Sequence, residues 1–210
     1  MSTPADGPSP AASSPAVSSP AQTHREIAGR FGELVRAAPA ELWDAPAPVQ
    51  GWTARDVVRH PLTWFPGFLL GGAGVELPGG PSVDDDPVAA WQAHADAVQG
   101  LLDDPATAER TLSNPYIGTL PLADAVDRFY TADLFQHTWD LARATGQEPE
   151  LDERRCAELL EGMAQMEEVL RSSGQYGPRV EVPDDASIQD RLIGFLGRDP
   201  GWRQQLPPDV

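Results

Sequence analysis

The segment TADLFQHTWDLARATG carries a carboxylate and an imidazole, Asp133 and His137, four residues apart in a run of helical periodicity. At that spacing both side chains project from one face of the helix. Counting back along the same stripe gives Phe129, Val126 and Leu122, all apolar, so the face they share is the buried one. Asp and His are costly to desolvate in a core position unless they are paired or hold a metal. The helix therefore needs a partner element with a complementary group. His60, on a separate helix opened by GWTARDVVRH, is the natural third member. Two imidazoles and a carboxylate from two helices suit a divalent metal with a coordination position left open.

Other stretches supply the rest of a bundle. A helix is expected from Thr23, with Glu26 completing a capping box and Ile27, Phe31, Leu34 and Val35 on one side. A second opens at Thr53 with Asp56 and carries Val57, His60 and Trp64. A third begins at Asp86-Pro87, proline being favoured in the first helical turn, and carries Val88, Trp91, Ala95, Val98 and Leu102. Between Asp103 and Pro121, RTL and the residues around YIGTL read as short strands or extended turns. The fourth helix runs from Leu122 to Thr145 and stops at Gly146; a fifth spans Asp152 to about Ser173. A sixth is capped by Ser187 with Asp190 and ends at Gly197. This is an all-α fold: a four-helix bundle with an additional C-terminal helix and a short extended insertion. Residues 1–21, rich in Pro, Ser and Ala, cannot bury enough apolar surface to offset ordering and are expected to be a disordered tail, leaving 22–210 as one domain.

Charge and composition remove several function classes. A formal net charge of -17 repels phosphate backbones and anionic lipid, which argues against nucleic-acid and membrane partners. All 15 basic residues are Arg, so lysine Schiff bases, pyridoxal-phosphate lysines and a Walker A lysine are excluded. The single Cys156 forms no internal disulfide, and no stretch reaches the roughly 18 apolar residues of a membrane helix. With no secretory signal pattern at the start, a cytoplasmic protein acting on a small molecule, as monomer or homodimer, is the expectation.

GWTARDVVRH, DLFQHTWDLARATGQ and DRLIGFLGRDPGW together resemble the DinB-like superfamily. More narrowly, they resemble its actinobacterial branch of mycothiol-dependent maleylpyruvate isomerase-like metal-binding proteins, over roughly residues 23–202. The resemblance implies a DinB-like four-helix bundle with a divalent metal, usually zinc, held at the positions that here are His60, Asp133 and His137. It also implies a thiol-dependent isomerase or S-transferase using mycothiol or another low-molecular-weight thiol. Nickel or iron would suit the same ligands. One departure is Pro61, directly after His60, which removes a helical hydrogen bond and predicts a kink there.

The remaining residues carry weaker signals. Trp64 and Phe68, at i+4 and i+8 from His60, read equally as pocket walls or plain core, and Trp52 as a packing anchor. His94 reads as a solvated or capping residue at the edge of its stripe, and His24 as a surface residue. Asp140 and Arg143 are placed to pair on the helix surface, with Arg143 also a possible anchor for a substrate or cofactor carboxylate; Arg198 and Asp199 are placed to hold the C-terminal turn. Four uses of the site remain open on the residues alone. They are activation of an external thiol, activation of water for hydrolysis, iron oxygenase chemistry, and a structural metal or small-molecule-binding bundle. No catalytic side chain stands out.

Overall fold

The computed structural model describes residues 18–174 and 176–205. Helix α1 spans Pro20–Ala37, α2 Ala54–Ala73 and α3 Pro87–Asp103. A hairpin of β1, Thr111–Asn114, and β2, Gly118–Pro121, follows. Helix α4, Leu122–Ala125, then continues through a π turn at Val126–Thr131 into α5, Ala132–Ala144. Three further helices complete the chain, α6 at Glu153–Ala164, α7 at Glu167–Ser172 and α8 at Ile188–Phe195. The architecture is an all-α DinB-like bundle: α1 packs on α3 and α5, and α2 on α3 and α5.

The caps explain where the helices start. At α2 the Thr53 hydroxyl accepts from the Asp56 amide at 3.2 Å while the Asp56 carboxylate accepts from the Thr53 amide at 2.9 Å. Asp86 accepts from the amides of Val88 and Ala89 ahead of α3. Helix α1 departs from expectation. Ser19, not Thr23, caps it by accepting from the Gln22 amide at 3.3 Å, with Pro20 in the first turn. Residues 20 and 21, assigned to the tail from sequence, are therefore helical; residues 1–17 lie outside the described residues.

Phe31, Val35, Val57, Val58, Phe65, Leu69, Val98 and Leu134 have no exposed surface and form the centre of the core. The hairpin runs antiparallel, Leu112 opposite Leu120, and Leu112 is wholly buried. It seats on α2 at Gly72, where an added Cβ would lie 2.8 Å from the Leu112 side chain.

Two elements differ from the sequence reading. The helix of Asp133 is not regular: the π turn adds a residue, leaves Phe129 half-buried, and rotates Tyr130 and Thr131 fully inward. The expected helix from Asp152 to Ser173 breaks at Met166, and of α6 only Cys156 is buried. Helix α8 packs against α6, and Leu192, Ile193, Phe195 and Leu196 join the main core. Among the described residues no helix is long and apolar enough to cross a membrane.

Candidate metal centre

Helix α2 runs unbroken through Pro61 and Pro66, so the kink expected at Pro61 does not interrupt it. Proline lacks an N–H, which leaves the Val57 carbonyl without its usual helical donor. His60 nonetheless reaches the bundle interior, where its Nε2 lies 3.3 Å from Asp133 Oδ2. His137 Nε2 lies 3.5 Å from Asp133 Oδ1, so the carboxylate offers one oxygen to each ring. One ligand atom from each of His60, Asp133 and His137 falls within 4.8 Å of the others. Tetrahedral zinc with bonds of about 2.0–2.1 Å places its ligand atoms about 3.3 Å apart. Each imidazole keeps that spacing to its own carboxylate oxygen, while the triad taken one atom per residue spans up to 4.8 Å and would draw in around an ion. The three side chains grade from 31% exposed at His60 through 23% at Asp133 to 7% at His137, so one side of the cluster is reachable from outside.

The other nitrogen of His137 is also fixed. Nδ1 stands 2.9 Å from Asp140 Oδ2, and Asp140 has no exposed surface. Arg198 clamps that carboxylate from the far end of the chain, with Nη2 at 3.1 Å from Oδ2 and Nε at 3.3 Å from Oδ1. Asp140 thereby holds a proton on Nδ1 and aims the Nε2 lone pair at the cluster, as carboxylates behind metal-ligating histidines do. The expected surface pair of Asp140 with Arg143 is not formed. Asp140 belongs to the centre, and Arg198 reaches it instead of serving only the C-terminal turn. Asp199 does hold that turn, accepting from the Gly201 amide at 2.8 Å.

Electrostatics show what the cluster lacks. Burial opposes charge on His137, but Asp133 and then Asp140 outweigh it and push its pKa up to about 9. Burial likewise disfavours the Asp133 carboxylate, yet His137 and His60 hold it well below the usual carboxylate range. Asp140 is also held low, burial being overcome by the Arg198 charge and the His137 hydrogen bond. Two carboxylates and one guanidinium leave a net negative charge that calls for a cation. A proton on His137 Nε2 answers that need in the free protein, and a divalent ion would take its place and carry its remaining positive charge to a further anionic ligand. The donor set therefore fits a metal.

Aromatic rings wall the cluster. Trp64 donates from Nε1 to Asp133 Oδ2 at 3.2 Å, which makes it a wall in contact with the centre, not plain core. Trp52 lies 5.0 Å from the His60 ring and 5.6 Å from the His137 ring, centre to centre, and so is more than a packing anchor. Tyr176, in the loop after α7, interacts with the side chain of Gln136 and senses the charge of Asp133. Its position on a loop gave no periodic signal in the sequence. The proposed carboxylate anchor, Arg143, is not brought to the centre. It lies over the Trp139 ring at 5.5 Å and pairs with Glu148 at 3.3 Å.

The family model described as mycothiol maleylpyruvate isomerase N-terminal domain matches residues 24–142, more than half of the chain. The chain belongs to this family. The match to the mycothiol maleylpyruvate isomerase N-terminal domain covers His60, Asp133, His137 and Asp140, and ends before the helices that deliver Arg198. Two uncharacterized proteins of Mycobacterium tuberculosis, from strains CDC 1551 / Oshkosh and ATCC 25618 / H37Rv, are each 28% identical over 190 residues. Those alignments cover 85% of this chain and 97% of each relative. No solved structure matches the chain.

Proposed function

We propose that the protein is a metal- and thiol-dependent transferase or isomerase acting on a small electrophilic substrate in the cytoplasm. The observation that supports this reading is the convergence of His60, Asp133 and His137, with His137 oriented by the buried Asp140–Arg198 pair. Family membership adds the association with mycothiol. A divalent ion, zinc first, held by those three side chains supplies a Lewis acid that keeps an external thiol ionised at neutral pH.

The chain's own groups do the rest. Asp140 keeps the proton on His137 Nδ1, so Nε2 is the nitrogen that would give up its proton to bind an ion. Trp64 holds the Asp133 carboxylate in place, and Trp52 covers both imidazole rings. An external nucleophile is needed because the one cysteine is unsuited: Cys156 is buried, and burial, with Asp152 and Glu153, pushes its thiol up to about 12. The test is the visible spectrum of the cobalt-substituted protein titrated with mycothiol. A new sulfur-to-metal charge-transfer band supports the reading. A spectrum indifferent to mycothiol and glutathione, alongside measurable ester hydrolysis, would replace it with a hydrolase; indifference to both would leave a binding bundle.

A further inference from the structure

Around Tyr130 of the π turn lies a second buried polar cluster. His24 on α1 and Tyr130 in the π turn have no exposed surface, and His94 on α3 has 8%. The His24 and His94 rings each lie 5.7 Å from the Tyr130 ring, centre to centre, while Phe65 stacks on Tyr130 at 4.0 Å. His24 Nε2, His94 Nε2, Tyr130 Oη and the neighbouring Thr131 Oγ1 are all buried without a hydrogen-bond partner. So many orphaned polar atoms on adjoining side chains are not tolerated in a dry core.

The direction of the His24 lone pair follows from its neighbour. Gln99 Nε2 donates to the Ala21 carbonyl at 3.2 Å and to Asp103 at 3.0 Å, which fixes the amide so that Gln99 Oε1 faces His24. At 2.8 Å that oxygen accepts the proton of His24 Nδ1, leaving Nε2 as a bare acceptor. Burial lowers the pKa of both histidines, so both rings are neutral. The Tyr130 hydroxyl, whose ionisation burial opposes, keeps its proton and is a donor.

We propose that His24, His94 and Tyr130 enclose a built-in site for ordered water, which cross-links α1, α3 and the π turn. A water molecule needs two to four polar partners, and this cluster offers an acceptor at His24, a donor at Tyr130 and a further group at His94. A metal cation fits poorly because no carboxylate stands among the orphaned atoms to balance its charge.

Two measurements on the full chain decide it. A high-resolution crystal structure should show ordered water within hydrogen-bond distance of both His24 Nε2 and Tyr130 Oη. A direct Tyr130–histidine hydrogen bond closing a dry chamber would overturn the proposal. Water-oxygen relaxation dispersion should count at least one fewer long-lived water in Tyr130→Phe than in the wild type; an equal count in a folded variant also overturns it. Cobalt titration serves as the control. Equal saturation of the wild type, His24→Gln and His94→Gln supports water, whereas an extra equivalent bound by the wild type alone would reassign the cluster as a metal site.

Discussion

Two histidine clusters adjoin the same π turn, one partly open and one buried, and they differ in how their polar atoms are satisfied. Around Asp133 both carboxylates and His137 have charged or hydrogen-bonding partners, reaching out to Arg198 across 58 residues of sequence. Around Tyr130 the groups are neutral and orphaned. A cluster with net negative charge and convergent lone pairs selects a cation, whereas one of neutral donors and acceptors selects water. Burial alone does not separate them; the presence of carboxylates does. The π turn serves both, carrying Tyr130 itself and leading directly into the helix of Asp133, with Trp64 in contact with each.

The largest effect expected from breaking this contrast is on metal content. His137→Ala and Asp133→Ala should each abolish or greatly weaken binding of about one divalent ion per chain, while His94→Gln should leave it unchanged. Elemental analysis of the purified variants measures this. Full occupancy in the two α5 variants, or loss in His94→Gln, would exchange the roles assigned to the clusters.

Next in size is the support behind His137. Arg198→Met leaves the wholly buried Asp140 carboxylate without its guanidinium, and breaking such a pair typically costs about 3–5 kcal/mol. Because Asp140 also orients His137, metal affinity should fall about 10–100-fold in the same variant. Urea unfolding and competition with a chromophoric chelator report the two effects separately. A stability loss with unaltered affinity would show that Arg198 serves packing alone.

How far these clusters were readable from sequence differs in an instructive way. Asp133, His137 and His60 stood out because they interrupt or extend apolar helical stripes, and Thr53, Asp86 and Ser187 marked helix starts through local capping chemistry. Asp140, three residues past His137, was visible but had a nearer partner on paper in Arg143. Its true partner, Arg198, is set by tertiary packing that no local rule encodes. His24 and His94 were misread as surface and boundary residues for a related reason. The π turn adds a residue to the helical period, so the inward turn of Tyr130, which gathers both histidines, does not follow from regular spacing.

The neutral cluster should declare itself in acid. Unfolded His94 titrates near its ordinary 6.5; in the folded chain burial lowers it to about 4. Between those values the unfolded state binds the extra proton, so stability rises with pH. The contribution of a neutral His94 is present above 6.5 and is lost as pH falls toward 4, by about 3 kcal/mol. His94→Gln should therefore lose less stability than the wild type between pH 7 and pH 4, by urea unfolding at each pH. Parallel pH profiles would show that His94 is protonated without opening the core.

The smallest effect concerns the chain start and separates the clusters once more. Ser19 caps α1 and Pro20 occupies its first turn, one turn ahead of His24. Deleting residues 1–17 preserves both and should leave the melting temperature within about a degree or two, as expected for a segment whose sequence is so poor in large apolar residues. Extending the deletion through residue 20 removes the cap, which is worth about 1 kcal/mol, and frays the turn that carries His24. Metal content should stay constant in both truncations, since α1 contributes nothing to the His60–Asp133–His137 triad. Amide hydrogen exchange resolves the difference: faster exchange confined to the first turns of α1 in the longer deletion, with α2 and α5 unchanged, fits two independent clusters. Faster exchange reaching Asp133 and His137 would show that the π turn couples them, and that the water-bridged side helps to set the geometry of the metal side.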